Sequence, residues 1–148
     1  MKKVLAIILA LVMALSLMAC GSSPAQQPSG DANADAETPV VTDGATLGEG
    51  AHSFTLEITD ADGKTITATI NTDEETVGAA LLKLNIVQGE DSDYGLYVKT
   101  VNGITADYDK DQTYWSFYID GEYAQTGVDM TAITDGSTYK LAIETMAQ

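Results

Sequence analysis

Alternation of apolar and polar positions marks the chain most clearly between residues 52 and 70. In "HSFTLEITD", Phe54, Leu56 and Ile58 fall on one side, and Ser53, Thr55 and Glu57 on the other. "KTITATIN" repeats the pattern, with Ile66, Ala68 and Ile70 facing inward. The intervening "DADG", Asp60 to Gly63, carries hairpin turn chemistry, so the two strands are predicted to pair. The period then changes. Val77, Ala80, Leu81 and Leu84 stand at i, i+3, i+4 and i+7, the spacing of one helical face. Thr76 suits the N-cap, Thr72 with Glu75 offers a capping box one turn earlier, and Asn85 suits the stop. The helix has one apolar face to bury and is expected to lie across a sheet.

Beyond the helix, "QGEDSD" reads as an acidic loop. "YGLYVKTV" reads as a strand with Leu96 and Val98 inward and Tyr97 and Lys99 outward, turned by Asn102-Gly103. "ITADYDKDQT" is polar and loop-like. "YWSFYID" is a further strand. Period two puts Trp115, Phe117 and Ile119 on its core side and Tyr114, Ser116 and Tyr118 on the other. On that reading Tyr114 and Tyr118 join Tyr97 and Lys99 on an open face away from the helix. Asp120-Gly121 turns the chain into the short return strand "GEYAQ", and a last strand carries Tyr139, Leu141 and Ile143. The order predicts an α+β fold, a β-grasp-like mixed sheet with one short helix packed on one face. A β-sandwich is the alternative.

The N-terminal third has a different character. Lys2 and Lys3 precede an apolar run, Val4 to Met18, that is short for a membrane span. It ends in "LMAC", which resembles the lipobox of bacterial lipoproteins. The expected organisation is a lipoprotein signal peptide over 1–19, then a lipidated Cys20 and a disordered linker over 20–50, then a folded domain over 51–148. Two acyl chains on Cys20 would suffice for stable anchoring, since each buried methylene contributes about 0.8 kcal/mol. The linker holds all three prolines, five acids and no base or aromatic residue, too little apolar area to offset the entropy of ordering it. The expected location is the cell membrane, with the domain facing outward.

Charge and composition narrow the functions. Beyond the signal the chain carries five bases against 22 acids, a net charge of −17. That argues against nucleic acid and anionic head groups as partners. Cys20 is the sole cysteine and His52 the sole histidine, so a cysteine nucleophile and an ordinary zinc site lack their residues. Asp107, Asp109 and Asp111 alternate as in a calcium loop, but Gln112 and Tyr118 stand where the EF-hand requires glycine and glutamate. No metal site, no cofactor and no enzymatic activity are expected. Five of the ten aromatic residues fall between Tyr114 and Tyr123, which turns attention to binding.

The order "TVGAALL", "YGLYVKTVNGITAD", "YWSFYIDGEYAQTGVD" and "DGSTYKLAIE" resembles the transcobalamin-like C-terminal domain, DUF4430. The likeness runs from Thr55 to Glu144, and the spacing from Tyr114 to Asp129 is its most specific part. The resemblance implies a β-grasp-like fold and a corrinoid as ligand. It makes Trp115, Tyr118, Gln125, Thr126, Gly127 and Val128 ligand-facing, and the open tyrosine face adds Tyr97 and Tyr114. A lipid-anchored module that binds a corrinoid or related ligand for uptake follows. The alternative is a structural or adhesive module that meets a surface protein or glycan.

Overall fold

A computed structural model describes residues 41–146. The expected signal peptide, Cys20 and most of the expected linker lie outside these residues. The described residues form nine strands, two short helices and one 3-10 turn. Strands β1 (Ala45–Leu47), β2 (His52–Thr59) and β3 (Thr65–Thr72) come first, followed by helix α1 (Val77–Lys83). Next come β4 (Val87–Ser92), β5 (Gly95–Val101), β6 (Ile104–Thr105) and the one-turn helix α2 (Tyr108–Asp111). Strands β7 (Thr113–Ile119) and β8 (Glu122–Tyr123), the 3-10 turn Val128–Met130 and β9 (Thr138–Thr145) complete the domain.

The class is α+β, with mostly strand, few helical residues and two sheets in place of one. A six-stranded sheet runs β1-β3-β2-β9-β7-β8, and a three-stranded sheet runs β4-β5-β6. The first hairpin forms as its alternation requires, with Phe54 opposite Ile70, Leu56 opposite Ala68 and Ile58 opposite Ile66. All five of these residues other than Ile66 are fully enclosed. β9 inserts between β2 and β7, parallel to the first and antiparallel to the second. As a central strand β9 has a neighbour along each edge, and Ala142 is buried alongside Tyr139 and Leu141.

Helix α1 begins where its cap dictates. Thr76 accepts a hydrogen bond from the Ala79 amide at 3.3 Å, and Asn85 ends the helix with a positive φ of 54°. Val77, Ala80 and Leu81 are enclosed in the core. The neighbours of α1 include the 3-10 turn and β4. Both predicted two-residue turns form. Asn102-Gly103 and Asp120-Gly121 carry positive φ at both positions, as a type I′ hairpin needs.

Three sequence expectations need correction. The linker does not extend to residue 50. Val41 is only 3% exposed and β1 pairs in parallel with β3. The Asn102 side chain accepts from the Val41 amide at 2.5 Å and donates to its carbonyl at 3.1 Å. Val41, Asn102 and the bonds of Asp43 and Gly44 to Thr67 hold this segment, and a three-residue strand is too short to show a period.

"QGEDSD" is strand, not loop: β4 pairs with β5 through Ser92 opposite Gly95. Past Val87 its residues are exposed on both faces, so no apolar alternation marks it. Finally, "ITADYDKDQT" contains β6 and α2. The Asp107 carboxylate caps α2 by accepting from the amides of Asp109 and Lys110, and it pairs with the Lys110 ammonium at 2.7 Å. The lysine's hydrogen bond holds the Asp107 carboxyl below the usual range.

Candidate functional site

An open groove of about 450 Å³ runs between the two sheets. β5 contributes Leu96, Tyr97 and Val98, and β7 contributes Trp115 and Phe117. The chain leaving β8 closes the far side with Gln125, Thr126, Gly127 and Val128. Strand period explains the placement. Trp115 and Phe117 leave the same face of β7, and β5 crosses in front of that face. The indole nitrogen of Trp115 donates to the carbonyl oxygen of Lys99 at 3.2 Å, joining the two sheets at the groove. Trp115 is 8% exposed, so it is both core and groove wall.

The loop from Gln125 to Val128 is held in place rather than merely tethered. Thr131 is buried and its hydroxyl donates to the Gly127 carbonyl at 2.9 Å. The hydroxyls of Thr126 and Thr131 lie 3.0 Å apart. The Thr131 carbonyl in turn accepts from the Val77 amide, the first residue of α1. Gly78 lets the loop approach this closely, because a Cβ there would sit 2.7 Å from the backbone nitrogen and Cα of Asp129.

Six of the eight ligand-facing residues named from the sequence therefore line one groove: Tyr97, Trp115, Gln125, Thr126, Gly127 and Val128. Tyr114 and Tyr118 do not. Both hydroxyls donate to the Glu144 carboxylate, that of Tyr114 at 3.1 Å, on the other side of β7. The expected shared tyrosine face is thus corrected. Tyr97 belongs to the second sheet, which folds over the Trp115 side and takes Tyr97 away from Tyr114 and Tyr118. The hydrogen bond from Tyr118, followed by that from Tyr114, holds the Glu144 carboxyl below the usual carboxylate range. The same bonds push both phenols up. The Lys140 ammonium stands 5.8 Å from the Tyr118 ring centre, a cation–π distance.

Sequence reasoning missed Tyr94 and Tyr123 at the groove. Tyr94 is 89% exposed and Tyr123 55%. Their signal was weak, since each sits next to a turn, where period no longer assigns a face. It also missed Asp129, the last residue of the motif. The Asp129 carboxylate lies behind Gly127, and its Oδ1 has no hydrogen-bond partner.

The family model described as "Domain of unknown function (DUF4430)" matches residues 74–143, the stretch from the start of α1 through most of β9. A solved protein from Ruminococcus gnavus, provisionally named a metal binding protein, shares 30% identity at a TM-score of 0.62. The match spans 66% of this chain and the whole of that one. The chain belongs to the DUF4430 family. The matched residues include every groove residue of this DUF4430 domain, while β1 to β3 lie outside the family model. A weaker likeness, 16% identity at a TM-score of 0.47, is to haptocorrin solved in complex with Cbi. It covers 64% of this chain and about a quarter, 26%, of haptocorrin. No curated protein matches.

Proposed function

We propose that this chain is a non-enzymatic, lipid-anchored module at the cell surface whose inter-sheet groove binds a ligand, a corrinoid or related flat molecule, for uptake. The observation that carries the reading is convergence. Six residues picked out by sequence, from β5, β7 and the loop after β8, line a single groove. Its wall joins aromatic and aliphatic side chains to a few polar groups, the composition of a small-molecule site. A groove of about 450 Å³ covers one face of a large flat ligand and leaves the other face to solvent or to a partner. On this reading the six-stranded sheet with α1 is a β-grasp-like frame, and the β4-β5-β6 sheet is the flap that makes the groove.

Titration of the purified protein with cobinamide and with cobalamin, followed by Trp115 fluorescence, tests the ligand. A saturable change is expected, and no change at millimolar ligand overturns the corrinoid reading. The anchor has its own test. Cys20→Ser should abolish incorporation of labelled fatty acid and release the protein from membranes, and unchanged labelling would refute it.

One observation favours the second reading, an adhesive module for a surface protein or glycan. Tyr94 and Tyr123 stand at the groove rim with most of their surface exposed, as aromatic anchors of a protein interface do. Loss of a cobinamide response, together with binding of a surface glycan or protein blocked by Tyr94→Ala, would favour it.

A further inference from the structure

The groove does not end at the chain leaving β8. Tyr123, Ala124 and Gln125 line it and also line a second open depression of about 490 Å³, which Ile119, Asp120 and Glu122 complete. On the β7–β8 ladder Glu122 stands opposite Ile119. Period two puts Ile119 on the face of β7 that carries Trp115 and Phe117, so Glu122 leaves the sheet on the groove's side. Tyr123, common to both spaces, is steadied by an edge-to-face contact with the Tyr118 ring at 5.5 Å.

The charges of this continuous surface have one sign. No residue lining the groove is charged, and the charged residues of the depression are both acids. The Asp120 carboxylate is engaged, accepting from the Thr138 amide at 2.7 Å. The Glu122 carboxylate is exposed and has no hydrogen bond or ion pair among the described residues, where Lys83, Lys99 and Lys110 pair with Glu74, Glu90 and Asp107. An anion entering here meets acids and no base. A cation meets a free carboxylate at the end of an aromatic wall.

We propose that the groove takes a flat ligand that carries a protonated amine, its rings along the Trp115 wall and its ammonium over Glu122. The inference rests on the groove being a ligand site, and it does not require the ligand to be a corrinoid. The ring faces of the rim tyrosines, Tyr94 and Tyr123, attract a cation as well as an apolar body. A bare ion would find a single exposed carboxylate, whereas an organic cation also buries apolar surface against the wall.

Two acridines of one ring and opposite charge test this: 9-aminoacridine, a cation at neutral pH, and acridine-9-carboxylate. Each is titrated with the purified full chain at about 0.15 M salt, where distant charges are screened, and followed by the anisotropy of its own emission. The amine should bind saturably and about fivefold or more tighter than the carboxylate. Glu122→Lys should erase or reverse that preference. Asp62→Lys, in the β2–β3 turn, makes the same change in net charge and should preserve it. No saturable binding of the amine, equal affinity for the two acridines, or equal loss of preference in the two variants overturns the proposal.

Tyr97→Ala separates this inference from the reading beneath it. Both acridines bound equally and both weakened by Tyr97→Ala would refute the charge preference and keep the groove. Amine binding that Tyr97→Ala leaves unchanged would refute the groove itself, and the inference with it. A cobinamide titration without response, beside the expected acridine preference, would overturn the corrinoid reading and sustain this one.

Discussion

The Trp115 indole and the Lys99 carbonyl, 3.2 Å apart, link strand β7 of the large sheet to strand β5 of the small one. The groove exists because these two strands are held face to face. Replacing Trp115 with Phe keeps the ring but deletes the donor and leaves the carbonyl one partner short. A loss of about 1 kcal/mol is expected in a denaturant melt followed by circular dichroism. An unchanged midpoint would mean that packing alone joins the sheets.

Tyr97 and Tyr114 offer a paired test of which face binds. Tyr97 lines the groove and is 41% exposed, so Tyr97→Ala should move stability by no more than about 0.5 kcal/mol while weakening cobinamide binding several-fold. Tyr114→Phe removes a hydroxyl on the opposite face and should leave the titration unchanged. The reverse result would return the binding face to the one expected from sequence.

The Tyr118–Glu144–Tyr114 cluster predicts a loss of stability at both pH extremes. The Glu144 carboxyl is held below its ordinary value of 4.5. Its contribution is therefore complete above that value and is lost as pH falls through the lower folded value. The two phenols are raised above 10.0, so their contribution is complete below that value and is lost as pH rises through the higher folded values. Glu144→Gln should flatten both limbs in melts taken from pH 3 to pH 11. Limbs that match the wild type would assign the dependence to other groups.

Gly78 connects helix α1 to the site without touching a ligand. A Cβ there would meet the Asp129 backbone at 2.7 Å, and backbone cannot swing aside. Although alanine is the better helix former, Gly78→Ala should destabilise by about 1–3 kcal/mol and loosen the Gly127–Thr131 loop. Amide exchange at Thr131 would report the loosening, and a stabilised variant would refute the close approach.

Asn102→Ala should free the segment from Val41 to Leu47 while sparing the rest of the fold. The asparagine side chain holds both backbone groups of Val41. Proteolysis should then cut near Asp43 well before the domain unfolds. Equal protection in the two proteins would assign the anchoring to the β1–β3 pairing and burial of the Val41 side chain.

Local pattern determined much of this molecule. The alternation around Phe54 and Ile70, the Thr76 cap, the i, i+3, i+4 face of α1 and the two Gly-containing turns all form as the residues dictate, because each depends on neighbours a few positions away. The partition of Trp115 from Tyr118 on β7 was legible for the same reason. Tertiary structure alone decided that β5 belongs to a second sheet, so that Tyr97 lies with Trp115 at the groove rather than with Tyr114. Strand period assigns a side chain to a face but does not say which sheet will lie against that face. The same limit hid β4, whose exposed residues carry no period, and the ordered segment from Val41, which is anchored by an asparagine 61 positions away. It also hid the surroundings of Asp129, whose carboxylate is enclosed only once Gly95, far away in the chain, joins the neighbouring Gly127 around it.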